Sequence, residues 1–145
     1  MYLLDTNIIS EALRRAPNSG VLLWLESNPR TAISVVTLDE IIFGLTLNHK
    51  PSFLVRFEAF LETLELIEIS ALTARRAAQM RGSLAAAGKS RTQADMFIAA
   101  TAQVHGLTLV TRNLKVFEGC AVALLNPFSP PPVESDPTQS IQTKP

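Results

Sequence analysis

Four polar side chains stand at the ends of apolar runs or near the starts of amphipathic stretches. Asp5 directly follows the run YLL and Asn113 follows LTLVT, while Glu40 and Asp95 lie in TLDEIIFG and TQADMFIAAT. Two carboxylates about 4 Å apart in a partly buried site repel by roughly 4 kcal/mol at an effective dielectric of about 20. A divalent cation removes this repulsion, and carboxylates with open coordination positions suit Mg2+ or Mn2+, which also bridge to phosphate. If the four side chains meet in space, they indicate metal-assisted hydrolysis of a phosphodiester.

Each of these residues also has a purely structural interpretation. Glu40 and Asp95 each follow a threonine by three residues, as in the capping box, where a carboxylate bonds back to the N–H of the helix cap. Negative charge is also favourable at a helix N-terminus. Asp5 suits a helix cap and Asn113 suits a turn. Capping and metal binding therefore remain alternatives for each residue, and only the combination favours a metal site.

The elements that would position these residues follow from apolar spacing. Short aliphatic runs predict strands at YLL, TAISV from Thr31, LELIEI from Leu64, LTLV from Leu107 and VALL from Val122. Between them, apolar residues recur every three or four positions, which predicts helices. Strands separated by helices favour a three-layer α/β/α fold with a parallel sheet. Ligand sites in such sheets lie beyond the carboxyl ends of the strands, where the four polar residues are expected.

The composition is that of one domain with its own core. The chain has 145 residues, 47% of them hydrophobic, and its 13 basic and 13 acidic side chains cancel. Net charge therefore gives no argument for a nucleic-acid or membrane partner. The single cysteine, Cys120, excludes an intrachain disulfide, and with only two histidines a zinc site is not expected. Neither a signal peptide nor a transmembrane span is recognisable, so we expect a cytoplasmic protein without a membrane partner.

A change in composition after Phe128 divides the chain. Residues 129–145, SPPPVESDPTQSIQTKP, hold five of the nine prolines and almost no apolar side chains. This composition predicts a disordered tail, so the predicted domain comprises residues 1–128.

Four motifs in order make this sequence similar to a known family. LLDTNIIS, TLDEIIFG, ADMFIAATA and LVTRN, the last followed by VF and LLNP, resemble a PIN domain. The resemblance is to the VapC-type toxic ribonucleases of bacterial type II toxin–antitoxin pairs, especially FitB-like members, and covers residues 1–128. It implies a five-stranded parallel sheet in the order 3-2-1-4-5. It also implies a Mg2+- or Mn2+-dependent endoribonuclease that hydrolyses RNA with a metal-activated water.

The resemblance assigns roles to individual residues. It implies that Asp5, Glu40 and Asp95 are the acidic site residues and that the hydroxyls of Thr6 and Thr111 help to order the site. Our hypothesis is that Asp5 and Asp95 hold the metal, while Glu40 positions or deprotonates the attacking water. The implied catalytic residues are Asp5, Glu40, Asp95 and Asn113.

Two positions depart from the family pattern. Asn113 stands where relatives often carry Asp, so we expect one tightly bound ion and weaker binding of a second. Asp39 stands beside Glu40 and is a second candidate for the family glutamate. The spacing from Glu40 to Gly44 matches the family and favours Glu40.

A basic stretch without acidic residues leads up to Asp95. It could follow an RNA backbone by counterion release, although a solvated helix face is an equal alternative. The predicted RNA contacts are Arg75, Arg76, Arg81, Lys89 and Arg91.

The helices around Trp24 and across residues 53–61 are richer in apolar residues than one buried stripe requires, which is typical of a partner interface. By resemblance, these regions support a homodimer and receive a cognate antitoxin. Four aromatic residues fall at helical spacings and are expected in the core, namely Trp24, Phe43, Phe57 and Phe60.

Two other functions are considered. A catalytically weak PIN-like module that binds RNA or a partner is kept open by the uncharged Asn113. A phosphatase of the haloacid dehalogenase type is disfavoured because it needs a second Asp two residues after Asp5, where this chain has Asn7.

Overall fold

The strands are short and parallel, so their carboxyl ends share one edge of the sheet. The computed structural model describes residues 1–129. The strands are β1 (Tyr2–Leu4), β2 (Thr31–Ser34), β3 (Glu65–Ile67), β4 (Thr108–Val110) and β5 (Leu124–Leu125). All pairings are parallel, and the order is β3-β2-β1-β4-β5. This confirms the expected order 3-2-1-4-5.

The helices connect consecutive strands, as expected from their apolar periodicity. They are α1 (Thr6–Ala12), α2 (Ser19–Ser27), α3 (Val35–Asn48), α4 (Pro51–Leu61), α5 (Ala71–Ala86) and α6 (Gln93–His105). A short 3-10 helix, Leu114–Phe117, follows β4 and was not predicted. None of the helices within residues 1–129 is both long enough and apolar enough to cross a membrane.

Two cores lie on opposite faces of the sheet because successive strand residues point in opposite directions. Leu3 and Leu109 pack with buried residues of α5 and α6, such as Leu84 and Met96. The neighbouring Leu4, Ile33 and Val110 pack with buried residues of the first four helices, namely Ile8, Ile9, Val21, Ile41, Leu45 and Phe57. The predicted three-layer α/β/α architecture is thus confirmed.

Helix α3 begins earlier than expected. The Ser34 side chain caps it by accepting the Val36 N–H at 3.1 Å. Glu40 is therefore the sixth helical residue, so the capping-box alternative for Thr37–Glu40 is wrong and Glu40 lies further into the helix than expected. The predicted strand TAISV includes Val35, because β-branched residues favour strands, but the serine cap starts the helix at Val35.

Two further expectations concern exposure and the tail. Phe57 is buried, whereas Phe43 is 66% exposed, so its predicted place in the core is wrong. Helix α3 buries one stripe, which contains Ile41 and Leu45, and leaves Phe43 outside it. Of the predicted disordered tail, residues 130–145 lie outside the described residues, and Ser129 hydrogen-bonds to Asn18.

Candidate active site

A cavity of about 390 Å3 opens at the carboxyl ends of β1 and β4. Strand order reverses between these two strands, since β2 and β3 lie on one side of β1 and β4 and β5 on the other. This is the position where parallel sheets place their ligand sites. The structure brings the four predicted catalytic residues together here, and the lining comprises Asp5, Thr6, Asn7, Ser10, Glu11, Arg14, Glu40, Asp95, Arg112, Asn113 and Phe128.

Asp5 caps α1 and faces the cavity at the same time. Its Oδ1 accepts the Thr6 N–H at 2.8 Å. Its Oδ2 accepts the Thr111 hydroxyl at 2.8 Å and the Asn7 side-chain amide at 3.1 Å. The residue is only 5% exposed. Capping and participation in the site are therefore not exclusive, because each oxygen has separate partners.

Burial is the largest cause of a raised pKa for the Asp5 carboxyl. Hydrogen bonds from Thr111 and the Thr6 N–H lower the pKa, and the negative charge of Asp95 raises it. The net direction is upward from 3.8. The protein alone thus does not fully offset the cost of burying the charged Asp5 carboxylate, and a bound cation would offset it.

Glu40 lies in the second turn of α3, where the Thr6 hydroxyl donates to its Oε1 at 2.8 Å. Burial raises the Glu40 pKa most strongly, the Thr6 bond lowers it, and the charges of Asp5, Asp95 and Asp39 raise it further. Asp39 is exposed and does not line the cavity. Between the two candidates, Glu40 is the carboxylate that faces the cavity.

Asp95 lies at the start of α6, where its backbone N–H donates to the Thr92 hydroxyl at 3.1 Å. Only this half of the predicted capping box is present. No hydrogen bond or ion pair joins the Asp95 carboxylate to another residue within 1–129. The carboxylate therefore remains available to the cavity that it lines.

Thr111 and Asn113 complete the β4 side of the site. Thr111 is fully buried, and its hydroxyl donates to Asp5 while accepting the Asn113 N–H at 3.0 Å. The Asn113 side chain is exposed at the cavity and forms no hydrogen bond with the described residues. Thr111 orients Asp5, and the loop that it holds brings Asn113 to the cavity.

Asn7 is a site residue that sequence reasoning missed. Its side-chain amide donates to Asp5 Oδ2, and its Oδ1 accepts the Arg112 N–H at 3.1 Å. It thus links the start of α1 to the loop after β4. The available signal was the tripeptide DTN, in which an amide two residues after a strand-end carboxylate can bond back to it.

The basic side chains at the cavity are not those predicted. None of the five predicted RNA contacts lines it, and Arg81 and Arg91 line a separate groove between α5 and α6. The Arg91 guanidinium bonds to backbone carbonyls, including that of Val116 at 2.9 Å. Instead, Arg14 and Arg112 line the acidic cavity. RNA contact by the five residues stays a prediction, because an RNA strand extends beyond the cavity.

The donor set fits a hard divalent cation. In residues 1–129 no three His, Cys, Asp or Glu side chains are already arranged as a metal cluster. Mg2+ does not require one, because it commonly binds one or two carboxylates and keeps several waters. Asp5 and Asp95 supply such oxygens, and the bonds from Thr111, Asn7 and Thr6 provide the outer interactions that orient metal ligands.

Sequence and structure comparisons reveal similar proteins along most of the chain. A family model described as PIN domain matches residues 2–119. Toxin FitB of Neisseria gonorrhoeae is 37% identical over 137 residues, covering 88% of this chain and 99% of FitB. VapC ribonuclease Y4jK of Sinorhizobium fredii is 32% identical over 141 residues, covering 90% and 99% respectively. A solved toxin-antitoxin complex from Klebsiella pneumoniae contains a similar chain, with a TM-score of 0.70, 32% identity and coverage of 90% of this chain and 100% of that one.

Proposed function

This chain belongs to the PIN-domain family, and on that premise we propose that it is a Mg2+- or Mn2+-dependent endoribonuclease, the toxin of a toxin–antitoxin pair. The observation that carries the proposal is the meeting of Asp5, Glu40 and Asp95 at one cavity. Their mutual charge contributes to the raised pKa values of Asp5 and Glu40. Perturbed carboxyls in a cleft are typical of catalytic sites. The relative named VapC ribonuclease supports RNA as the substrate.

The chemistry divides among the three carboxylates. Asp5 and Asp95 would hold the cation, which when bound would lower the pKa of a water and offset negative charge on the phosphate. Glu40 accepts the proton of the attacking water, and its raised pKa moves it towards the range that suits a general base. The water oxygen forms a bond to phosphorus while the bond to the 3′ oxygen breaks, and the 3′ oxygen takes up a proton from solvent. The products carry 5′-phosphate and 3′-hydroxyl ends.

Thr6 and Asn7 act by positioning. The Thr6 hydroxyl fixes the Glu40 carboxylate, while the Thr6 N–H bonds to Asp5, so one residue sets the relative placement of both carboxylates. Asn7 holds Asp5 against the loop after β4. These bonds prearrange the site before substrate arrives.

The test uses a matched pair of adjacent carboxylates. Glu40→Gln should lower RNA cleavage with Mg2+ by at least about 100-fold, because general base catalysis contributes factors of this size. Asp39→Asn, one residue away and exposed, should leave cleavage unchanged. Asp5→Asn should abolish cleavage and weaken Mg2+ binding in calorimetry. Full activity of Asp5→Asn, or activity that persists in excess chelator, would contradict the proposal.

Partners follow from the same proposal. We infer a cytoplasmic homodimer that binds a cognate antitoxin, as the similar chain from Klebsiella pneumoniae occurs in a toxin-antitoxin complex. Exposed apolar side chains on α2, α3 and α4 support an interface, namely Leu22, Leu23, Phe43, Leu47, Leu54 and Val55. Light scattering after gel filtration should give twice the chain mass, and a monomer at micromolar concentration would contradict the dimer.

A catalytically weak RNA-binding or interaction module is the second candidate. The uncharged Asn113 side chain at the cavity favours it, because an amide adds no charge to hold a second ion. Titration with Mg2+ separates the two functions. Saturable binding that Asp5→Asn removes supports the nuclease, whereas no binding at millimolar Mg2+ supports the module.

A further inference from the structure

Phe128 is distant in sequence from the carboxylates but lines the same cavity. The guanidinium carbon of Arg112 lies 4.6 Å from the centre of the Phe128 ring, within the range of a cation–π contact. Arg112 also lines the cavity, and its side chain is exposed. An aromatic ring and a cation are therefore held together beside the acidic site, in a pair that the catalytic scheme does not use.

The segment that carries Phe128 is fixed by specific contacts. Asn18 Oδ1 accepts the Ser129 N–H at 3.0 Å, and the Asn18 side-chain amide donates to the Ser129 carbonyl at 3.2 Å. Gly20 lies so close that a Cβ there would come within 2.6 Å of the Pro127 carbonyl oxygen. The Asn126 side chain accepts the Phe128 N–H at 3.0 Å. The ring is thus positioned by the fold rather than by the Arg112 contact alone.

Arg112 is tied to the catalytic residues through its backbone. Its N–H donates to Asn7, which in turn donates to Asp5. The Arg112 guanidinium forms no ion pair with Asp5, Glu40 or Asp95, since the salt bridge recorded within residues 1–129 joins Arg14 to Glu11. Its charge is therefore available to a ligand.

This combination matches single-stranded RNA. A strand that places one phosphate at the carboxylates carries its next phosphate and base only a few ångströms away. Cationic guanidinium groups bind phosphate, and aromatic or guanidinium planes stack on unpaired bases irrespective of base identity. A small anion alone would require the arginine but not the ring.

Resting on the proposed ribonuclease activity, we propose that Arg112 and Phe128 bind the nucleotide next to the scissile phosphate. Arg112 contacts the flanking phosphate, and the Phe128–Arg112 surface stacks on its base. The pair positions substrate and takes no part in proton transfer.

The test has a built-in control, because a second Arg–Phe pair lies on α4. The Arg56 guanidinium carbon lies 5.4 Å from the Phe53 ring centre, and neither residue lines the cavity. Phe128→Ala should raise KM for a short single-stranded RNA and weaken its binding by about 5-fold to 150-fold, the range of one stacked base. Phe128→Trp should retain binding. Phe53→Leu and Arg56→Gln should leave both quantities unchanged.

Two further measurements separate stacking from packing. The native protein should bind RNA with an abasic site beside the cleaved bond more weakly than intact RNA, by the same factor. With Phe128→Ala, the abasic site should cause no further loss of affinity, because both changes remove the same contact. Arg112→Gln should reduce the slope of log binding constant against log salt by about one. If Phe128→Ala does not fold by circular dichroism, Phe128→Leu replaces it, since leucine retains apolar packing without the ring.

The outcomes distinguish this inference from the proposed function. If the native protein cuts RNA and folded Phe128→Leu and Arg112→Gln bind and cut equally well, the inference is overturned and the ribonuclease stands. The same conclusion follows if Phe53→Leu loses as much RNA affinity as Phe128→Leu. If RNA binds in a Phe128-dependent manner but is not cut, the ribonuclease proposal fails and the placement beside a scissile phosphate fails with it, while the contact of Phe128 with RNA stands. If RNA neither binds nor is cut, both fail.

Discussion

The carboxylates of the cavity are held by hydroxyl and amide donors. Asp5 accepts from Thr111, Asn7 and the Thr6 N–H, and Glu40 accepts from the Thr6 hydroxyl. Within residues 1–129, no lysine or arginine forms an ion pair with either carboxylate. Neutral donors fix the geometry without cancelling the charge. The carboxylates are thus oriented while their negative charge is not neutralised, and both conditions suit a cation site.

The raised pKa values predict how stability depends on pH. Because folding raises the pKa of Asp5 and Glu40 above 3.8 and 4.5, the folded protein binds these protons more tightly than the unfolded chain. Their contribution to stability is complete below those values and is lost as pH rises through the raised ones. Without metal, Glu40→Gln should therefore lose less stability than the native protein as pH rises. Asp39→Asn should have a much smaller effect, because the Asp39 charge is the smallest of the causes that raise the Glu40 pKa.

Urea denaturation across a pH series in chelator measures this difference, and added Mg2+ should restore native stability at neutral pH. Parallel pH curves for Glu40→Gln and the native protein would refute the assignment of Glu40 to the charged cavity.

Thr111 offers a second test at this scale. Thr111→Val keeps the shape of a fully buried side chain but removes the donor to Asp5. We expect Mg2+ affinity to fall by about 10-fold to 100-fold, the usual effect of losing an outer-sphere partner. Thr101→Val is the control, because Thr101 is equally buried and bonds to the Phe97 carbonyl. Calorimetric Mg2+ titration compares the two variants, and equal losses of Mg2+ affinity would indicate a general packing effect.

At the scale of elements, helix starts place the catalytic groups. Ser34 caps α3, which carries Glu40, and Thr92 caps α6, which carries Asp95. Each cap fixes where the helix begins, and the helical repeat then sets which residue faces the cavity. A shift of one residue at Ser34 would turn Glu40 by about 100° around the helix axis.

Removing these caps has distinguishable effects. Ser34→Ala and Ser70→Ala should each lower the free energy of unfolding by about 1 kcal/mol, because both serines cap helices. Only Ser34→Ala should also lower kcat for RNA cleavage, since α5 carries no cavity residue. Chemical denaturation and steady-state kinetics measure the two effects. A kcat loss of equal size in Ser70→Ala would argue against placement of Glu40 by its cap.

Helices and strands could be predicted where the spacing of apolar residues along the sequence determines them. Site residues could be predicted where they directly follow a strand or lie at the start of a helix. The alternation of aliphatic runs and amphipathic stretches sets the layers, and the same pattern placed Asp5 and Asp95 at one edge. Phe43 was misplaced because apolar periodicity does not reveal how wide the buried stripe of α3 is. Asn7 and Arg112 were missed because they lie 105 residues apart, and a single sequence does not show which distant residues pair.

At the scale of the whole molecule, the segment after α1 and the end of the described chain meet beside the cavity. Asn18, shortly after α1, binds Ser129, and its N–H donates to Glu11, which also lines the cavity. The close approach at Gly20 completes this junction. The wall that bears Phe128 therefore depends on packing between the first and last parts of the described chain.

Two glycine substitutions should have opposite effects. Gly20→Ala should lower stability by more than about 1 kcal/mol, because its Cβ would collide with the Pro127 carbonyl and Ser129. It should also raise KM for RNA by displacing Phe128. Gly82→Ala, in open space within α5, should raise stability by about 0.5 to 1 kcal/mol. Thermal melts and RNA kinetics test both, and a stabilised Gly20→Ala would refute the junction.

The central position of β1 has a consequence for synthesis on the ribosome. Asp5 is made long before β4, but its N–H donates to the Val110 carbonyl and its Oδ2 accepts from Thr111. A nascent or prematurely terminated chain that stops before β4 lacks one neighbour of its first strand and the hydroxyl that orients its first carboxylate. Under the proposed function, cleavage of RNA would therefore begin only after β4 has been made and paired with β1.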